Sequence, residues 1–312
     1  MPDNHGDNDE LYEIKAHFFI GNYQTAINEA QKLKIQDPEL KKKRDELVYR
    51  SFIALKKYSV VCKDIQNSTN VELHPLKDLA EYLGQPAKRQ DIVQKLELEY
   101  SGNFNIENHV ALIVAGTILY LEGSLESALK ILHQSNNLEC HALMLQILLK
   151  MDRLDMAKKQ LKLMQEIDDD AVLTQLTSAW VNLSTGGEKL QEAYYTFEEL
   201  ADKHAATPSL LNGQATCLIG QGKYEEAEAK LQEALEKDSN NTETLINMTV
   251  LSHLTGKSVE TCNRSLNQLS DSAASVSFTT PSLCVNNEFQ QGIASYQVNP
   301  PGNVDKSNFG SV

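Results

Sequence analysis

Apolar residues recur along this chain at the three-and-four spacing of a buried helix face, in paired blocks joined by short polar turns. Between residues 208 and 241, Leu211, Ala215 and Leu218 line one side of a first helix, Gly222 and Tyr224 mark a turn, and Ala227, Leu231 and Ala234 line a second. The chain opens on the same plan. Phe18, Phe19 and Ile20 close a helix, Gly21 and Tyr23 mark the turn, Ala26, Ala30 and Leu33 run down its partner, and Asp37-Pro38 stops it, because proline lacks the amide donor a continuing helix needs. Alanine falls where two helices cross closely, and leucine one turn away fills the gap beside the crossing.

The turn itself repeats, as Gly21-Asn22-Tyr23-Gln24-Thr25-Ala26, Gly123-Ser124-Leu125-Glu126-Ser127-Ala128 and Gly222-Lys223-Tyr224-Glu225-Glu226-Ala227. Ala26 and Ala128 stand 102 positions apart and Ala193 and Ala227 stand 34 apart. A helix-turn-helix period of 34 is that of the tetratricopeptide (TPR) repeat. Weaker units fill the intervals. Tyr58 and Val61 mark a second, after a helix-forming run from Arg44 to Lys57, and Leu76–Leu83 and Gln90–Leu98 flank Gly84-Gln85-Pro86 in a third. The fourth has Leu112, Ala115, Gly116 and Leu119 before its turn and Ala128, Leu129 and Leu132 after it. In the fifth, Leu148, Leu154, Ala157, Leu161 and Met164 keep the pattern, but Ala157 follows Ala128 by only 29 positions, which predicts a trimmed helix or turn. The sixth places Trp180 in its first helix and Ala193, Tyr194, Phe197 and Leu200 in its second, with Gly186-Gly187 between, and an eighth half-unit runs from 242 to 269. The expectation is an all-α, TPR-like α-solenoid of eight helical hairpins over residues 10–269, preceded by a polar segment at 1–9. Residues 270–312 are rich in Ser, Asn, Thr and Gly, contain Pro281, Pro300 and Pro301, and read as a disordered tail, lacking the apolar period that a helix must bury.

Composition narrows what such a solenoid binds. With 43 acidic against 29 basic residues the net charge is −14, so nucleic acid, which needs a concentrated basic face, is excluded as a partner, and adsorption to anionic lipid is disfavoured. The acidic start, Met1 to Glu10, is unlike a leader, and the longest apolar stretch, Val110 to Leu121, is too short to cross a bilayer. These features predict a cytoplasmic chain. Cys62, Cys140, Cys217, Cys262 and Cys284 are odd in number and scattered, as small apolar residues in a reducing compartment are, so the sequons at Asn67 and Asn247 are expected to stay unmodified.

No motif supports catalysis, a cofactor, a metal or a small-molecule substrate. Gly220-Gln221-Gly222 has neither the third glycine nor the preceding strand of a phosphate-binding loop and reads as a hairpin turn. Cys140-His141 has no second ligand pair and reads as part of a packed helix; Asp168-Asp169-Asp170 cannot all face one ion and reads as a helix-start cap. Lys41-Lys42-Lys43-Arg44, followed by Asp45-Glu46, reads as a solvated helix face.

Binding is therefore the expected role. The first helix of each TPR hairpin lines the inside of the curve, and its positions between core contacts are available to a partner segment. By this frame the partner-binding candidates are Ile113, Thr117, Tyr120, Gln146, Leu149, Asn182, Asn212, Thr216 and Ile219. Ile113 and Leu149 would serve equally well as packing between hairpins. The set is apolar or neutral-polar, which suits a permanent partner and not a basic clamp for acidic chaperone tails.

Longer blocks carry a more specific resemblance. Phe18 to Ala30, Leu138-Glu139-Cys140, Gln146 to Asp155, Leu173 to Leu176, Ala179-Trp180-Val181, Thr185 to Tyr195 and Leu210 to Ala215 are similar to the epsilon-subunit family of coatomer, the COPI vesicle coat. The similarity covers about residues 10–269 and departs from the family in the tail. It implies a non-catalytic coat subunit in Golgi-to-ER and intra-Golgi transport. Such a subunit binds the C-terminal region of the alpha subunit within the coatomer complex and reaches Golgi membranes and coated vesicles only peripherally, through the coat. The alternatives are a TPR co-chaperone or general scaffold, which would need basic groove residues, and an enzymatic role in the tail, where Cys284 has no neighbouring His.

Overall fold

A computed structural model describes residues 10–68, 70–101, 107–257 and Gln268. Among these residues there are fifteen α-helices and no strand. They are α1 (Tyr12–Phe19), α2 (Tyr23–Lys32), α3 (Pro38–Ala54), α4 (Tyr58–Gln66), α5 (His74–Gly84), α6 (Arg89–Ser101), α7 (His109–Leu121), α8 (Leu125–Leu132), α9 (Leu138–Lys150), α10 (Leu154–Ile167), α11 (Val172–Thr185), α12 (Lys189–Lys203), α13 (Pro208–Gly220), α14 (Tyr224–Lys237) and α15 (Thr242–Leu254). They form seven successive hairpins, with α15 as the first helix of an eighth unit. The tail and the segment 1–9 lie outside the described residues, as do most of 258–269, so the expectations for them stand as they were.

Two local devices make the hairpins. Five of the eight first helices start on side-chain caps: Asp37 accepts from the Glu39 amide, Asn108 from those of Val110 and Ala111, Asn137 from Glu139, Thr207 from Leu210 and Asn241 from Thr244, whereas α1, α5 and α11 have none. Six of the eight first helices, all but α5 and α11, end on a left-handed residue that folds the chain back so that two amides meet the last turn's carbonyls. Gly123 donates to Tyr120 at 3.2 Å and Ser124 to Leu119 at 2.9 Å, and the same double bond closes the turns at Gly21, Lys56, Asp152, Gly222 and Gly256. The repeated glycine of the sequence is thus the helix-ending residue. In the second and fifth units Lys56 (φ 61°) and Asp152 (φ 56°) hold the same backbone without glycine, which is why the signature fades there while the fold does not.

One expectation is corrected. Asp37-Pro38 does not stop α2, which ends at Lys32; it starts α3, with Asp37 as the cap and Pro38 in the first turn, where the missing amide costs nothing. The helix-forming run begins accordingly at Pro38 and not at Arg44. The short interval of the fifth unit is a trimmed helix: α8 has 8 residues where α10 has 14.

Close crossings build the core. A Cβ on Gly213 would stand 2.9 Å from the Phe197 ring, between two hairpins, and one on Gly116 2.7 Å from Leu132, within one, so at both contacts only glycine allows the observed approach. Ala26, Ala128, Ala157, Ala193 and Ala227, the repeat alanines, are all buried.

The solenoid does not remain an open rod. Ala16 and Ile20 of α1 are buried in the same apolar cluster as Leu145, Leu173, Leu176 and Leu210, which belong to α9, α11 and α13. The first hairpin has curled round until it touches the sixth and seventh.

Candidate partner groove

The closing seam is polar. The Thr207 hydroxyl, which also caps α13, donates to the Ile20 carbonyl at 2.6 Å across 187 positions of sequence. His204 stands edge-on to His17 with ring centroids 6.3 Å apart. Arg50 of α3 bonds Glu46 on its own helix at 3.1 Å, reaches Glu139 at the start of α9 at 2.6 Å, and lies 4.7 Å from the centre of the Phe18 ring. Glu46 in turn meets His109 at the start of α7 at 3.1 Å.

Burial and charge set the protonation states in this seam. The Glu46 hydrogen bond to His109 holds that imidazole above its ordinary value, against the cost of burial. Burial alone would raise the Glu46 carboxyl, but His109 and Arg50 together keep it below the carboxylate range. Burial pushes the Tyr23 hydroxyl up to about 12, with the Glu243 carboxylate of α15 adding to it. The partners Glu139, His109, Thr207 and Glu243 stand at the N-terminal ends of the first helices α9, α7, α13 and α15, whereas His204 ends the second helix α12.

Most groove candidates lie on the C-terminal halves of α7, α9, α11 and α13, where Tyr120, Leu149 and Ile219 each pack part of the side chain against a core cluster. Thr117 and Tyr120 on α7, Gln146 and Leu149 on α9, Asn182 on α11, and Thr216 and Ile219 on α13 are half-exposed. Lys150 sits 4.2 Å from the Tyr120 ring centre, linking the α7 and α9 stretches and placing one cation beside the neutral set. Ile113 and Asn212 differ from the rest. Ile113 is buried in the core cluster between hairpins. Asn212 is spent internally: its amide donates to Pro208 and to the Thr244 hydroxyl, both at 2.8 Å, and its carbonyl accepts from Asn247 at 3.0 Å, tying α13 to α15.

The residues weighed for chemistry occupy structural places. Cys140 and Cys217 are buried, and burial raises their thiols, Cys140 to about 11; Cys62 is half-buried. His141 is buried beside Gln160 of α10, and Asp168 accepts from the Ala171 amide in the turn before α11. Gly222 is a helix-ending turn residue. Lys42 pairs with Glu72 and Arg44 with Asp45 on the partly solvated face of α3. No three His, Cys, Asp or Glu side chains among the described residues gather to hold a metal ion. No helix among them is long and apolar enough to cross a membrane.

The seam residues Glu46, Arg50, His109, Glu139 and Thr207 were not singled out by the sequence. An i,i+4 Glu-Arg pair beside a lysine run looks like any solvated helix face, and nothing local marks its partners 60 to 90 positions away.

Capped helix pairs, a common turn and an inner face of half-exposed neutral residues define a helical-repeat binding protein of the TPR class. A tetratricopeptide repeat protein from Parabacteroides merdae superposes with a TM-score of 0.55 at 13% identity, over 89% of this chain and 99% of that one, a likeness of fold alone. The family described as coatomer epsilon subunit matches residues 7–297, which corrects the expectation that the similarity ends at about Leu269 and that the chain departs from the family directly after it. Coatomer subunit epsilon-1 of Arabidopsis thaliana is 41% identical over 262 residues, 84% of this chain and 88% of that protein. Coatomer subunit epsilon of Dictyostelium discoideum is 37% identical over 270 residues, 84% and 90% of the two chains. The chain belongs to the coatomer epsilon subunit family, a family of structural coat components.

Proposed function

We propose that this chain is a non-catalytic subunit of the COPI coat that holds and stabilises the C-terminal region of the coatomer alpha subunit on its concave face. It would act in Golgi-to-ER and intra-Golgi transport, cytoplasmic and peripheral on the membrane through the rest of the coat. The observation that supports the reading is the run of half-exposed Tyr120, Leu149, Thr216 and Ile219 along the C-terminal halves of α7, α9 and α13, packed on one side against the core and open on the other. Their apolar and neutral character matches a permanent interface, which resembles a core cut in two.

Co-expression of the full chain with the alpha subunit's C-terminal region tests it. A stoichiometric complex that survives high salt in size-exclusion chromatography, and that Leu149→Asp with Ile219→Asp abolishes, is the expected result. A double variant that still captures the alpha fragment would remove the groove from the proposal. Capture of a chaperone through its acidic terminus instead would favour a co-chaperone.

A further inference from the structure

Two imidazoles face each other where α1 meets the turn between α12 and α13. His17, in the last turn of α1, has a side chain only 13% exposed. Its Nδ1 is buried, and no described residue offers that nitrogen a hydrogen-bond partner. Its Nε2 lies 3.9 Å from the carboxylate of Glu13, one turn back on the same helix. His204, the half-buried residue that ends α12, sets its ring at 75° to that of His17 with centroids 6.3 Å apart, and stands 6.1 Å from the Tyr12 ring. Three positions on, the Thr207 hydroxyl donates to the Ile20 carbonyl. The rest of this contact is apolar: Ala16 and Ile20 share a cluster with Leu173, Leu176 and Leu210, and neither α11 nor α13 contains a charged residue.

Such a contact suits neutral rings. An imidazolium carries an N–H on both nitrogens, and at His17 one of these would be a buried donor with no acceptor, which is costly. Two imidazoliums at this separation would also repel each other. Burial holds the His204 imidazole below its ordinary value against the pull of Glu13, and His17 and Lys203 add to the effect of burial. Lys203 is itself paired with Glu199 and feels Asp170, the charges of α2 (Glu29 and Lys32) pair with each other, and the cation of α3, Arg50, lies against Phe18. A histidine lowered on packing contributes fully above its free value near 6.5, and the contribution is lost as pH falls from there through the lower packed value. His109, at the α3 end of the seam, is raised by Glu46 and answers in the opposite sense.

We propose that His17 and His204 form a proton-operated latch on the curl of the solenoid. With both rings neutral, α1 lies against α11, α13 and the turn that joins α12 to α13. When they take up protons, α1 lets go of that surface while α3 stays held through Glu46 and Arg50, and the curl opens at the first hairpin. The latch is independent of what the concave groove binds.

Hydrogen exchange of the full chain at about pH 7.5 and about pH 5.5, either side of the ordinary imidazole value, reads the latch, with the amides of α14 in the same sample as internal reference. Amides of α1 should exchange several-fold faster relative to α14 at the lower pH. His17→Gln with His204→Gln, which cannot gain a proton, should remove that dependence, and His204→Lys should give the fast α1 exchange at both pH values. His109→Gln should leave the α1 response in place. Thermal melts at the higher pH show which variants fold, and if the double variant does not, His204→Gln alone and His204→Lys carry the test. An α1-to-α14 ratio that does not change with pH overturns the inference, as does an acid response that survives the glutamine variants or one that His109→Gln alone abolishes. Equal loss of protection in α1 and α14 would be global acid unfolding and overturns it too.

Discussion

The stack and the seam are held by different physics. Within the stack, α12 and α13 meet through Phe197 laid on Gly213, an apolar contact between residues 16 positions apart, and most hairpins carry a buried alanine at the crossing, with Val61 in its place in the second. At the seam, α1 and α3 meet helices from the middle and the far end of the chain through Arg50, Glu46, His109, Glu139 and Thr207 as well as through Ala16 and Ile20. Burying apolar area is non-directional and tolerates register error. A buried charge network fixes one geometry and is costly when half-made. The stack makes the repeat stable, and the seam decides how far it bends.

The contrast breaks most severely at Phe197. Phe197→Ala removes a fully buried ring whose site glycine cannot refill, and should cost about 3–5 kcal/mol. Urea denaturation of the full chain measures it, and a loss below 1 kcal/mol would mean the crossing collapses freely. Next comes Arg50→Met, which leaves Glu46 and Glu139 facing each other without their cation. It should cost about 2–4 kcal/mol and, in hydrogen exchange, should deprotect α1 and α3 before α11–α14. Uniform loss of protection would show that seam and stack unfold as one.

The pH dependence of the seam is smaller and has a defined sign. His109 is raised when folded, so its contribution is complete below its unfolded value near 6.5 and fades as pH rises through the higher folded value. Glu46 is lowered, so its contribution is complete above its unfolded value near 4.5 and fades as pH falls through the lower folded one. The pair should contribute most between those two values. Thermal melts should show a decline on the alkaline side that His109→Gln flattens, and an unchanged slope would remove the pair from the seam's energetics. The smallest effect runs the other way. Asp152→Gly puts glycine at a left-handed position and should stabilise by about 0.5–1 kcal/mol, read as a raised urea midpoint, whereas Gly222→Ala in the intact signature should destabilise.

The repeat was legible because its causes are local. Caps such as Asn108 and Asn137, helix-ending turns and the alanine at most crossings act within a few tens of residues and write a period of 34 into the sequence. Even where Lys56 and Asp152 replace the signature glycine, the helices on either side keep the pattern. Asp37-Pro38 was misread because the pair marks the boundary between two helices and only the three-dimensional arrangement tells which of them it serves. The groove frame found positions that are half-exposed on α7, α9, α11 and α13. It included Asn212, whose amide cannot be told from a groove amide until Thr244 and Asn247 are seen beside it.

Amino-acid order alone determined the helices, their pairing, the apolar crossings and the coat family to which they belong, since each depends on neighbours in sequence or on long blocks of similarity. Tertiary structure alone decided that the solenoid curls until its first hairpin meets the sixth and seventh, and that the half-exposed groove positions lie along the C-terminal halves of the inner helices. Those outcomes rest on contacts between residues up to 187 positions apart, made by ordinary charged and polar side chains whose partners are fixed by curvature accumulated over several repeats, and no local pattern records it.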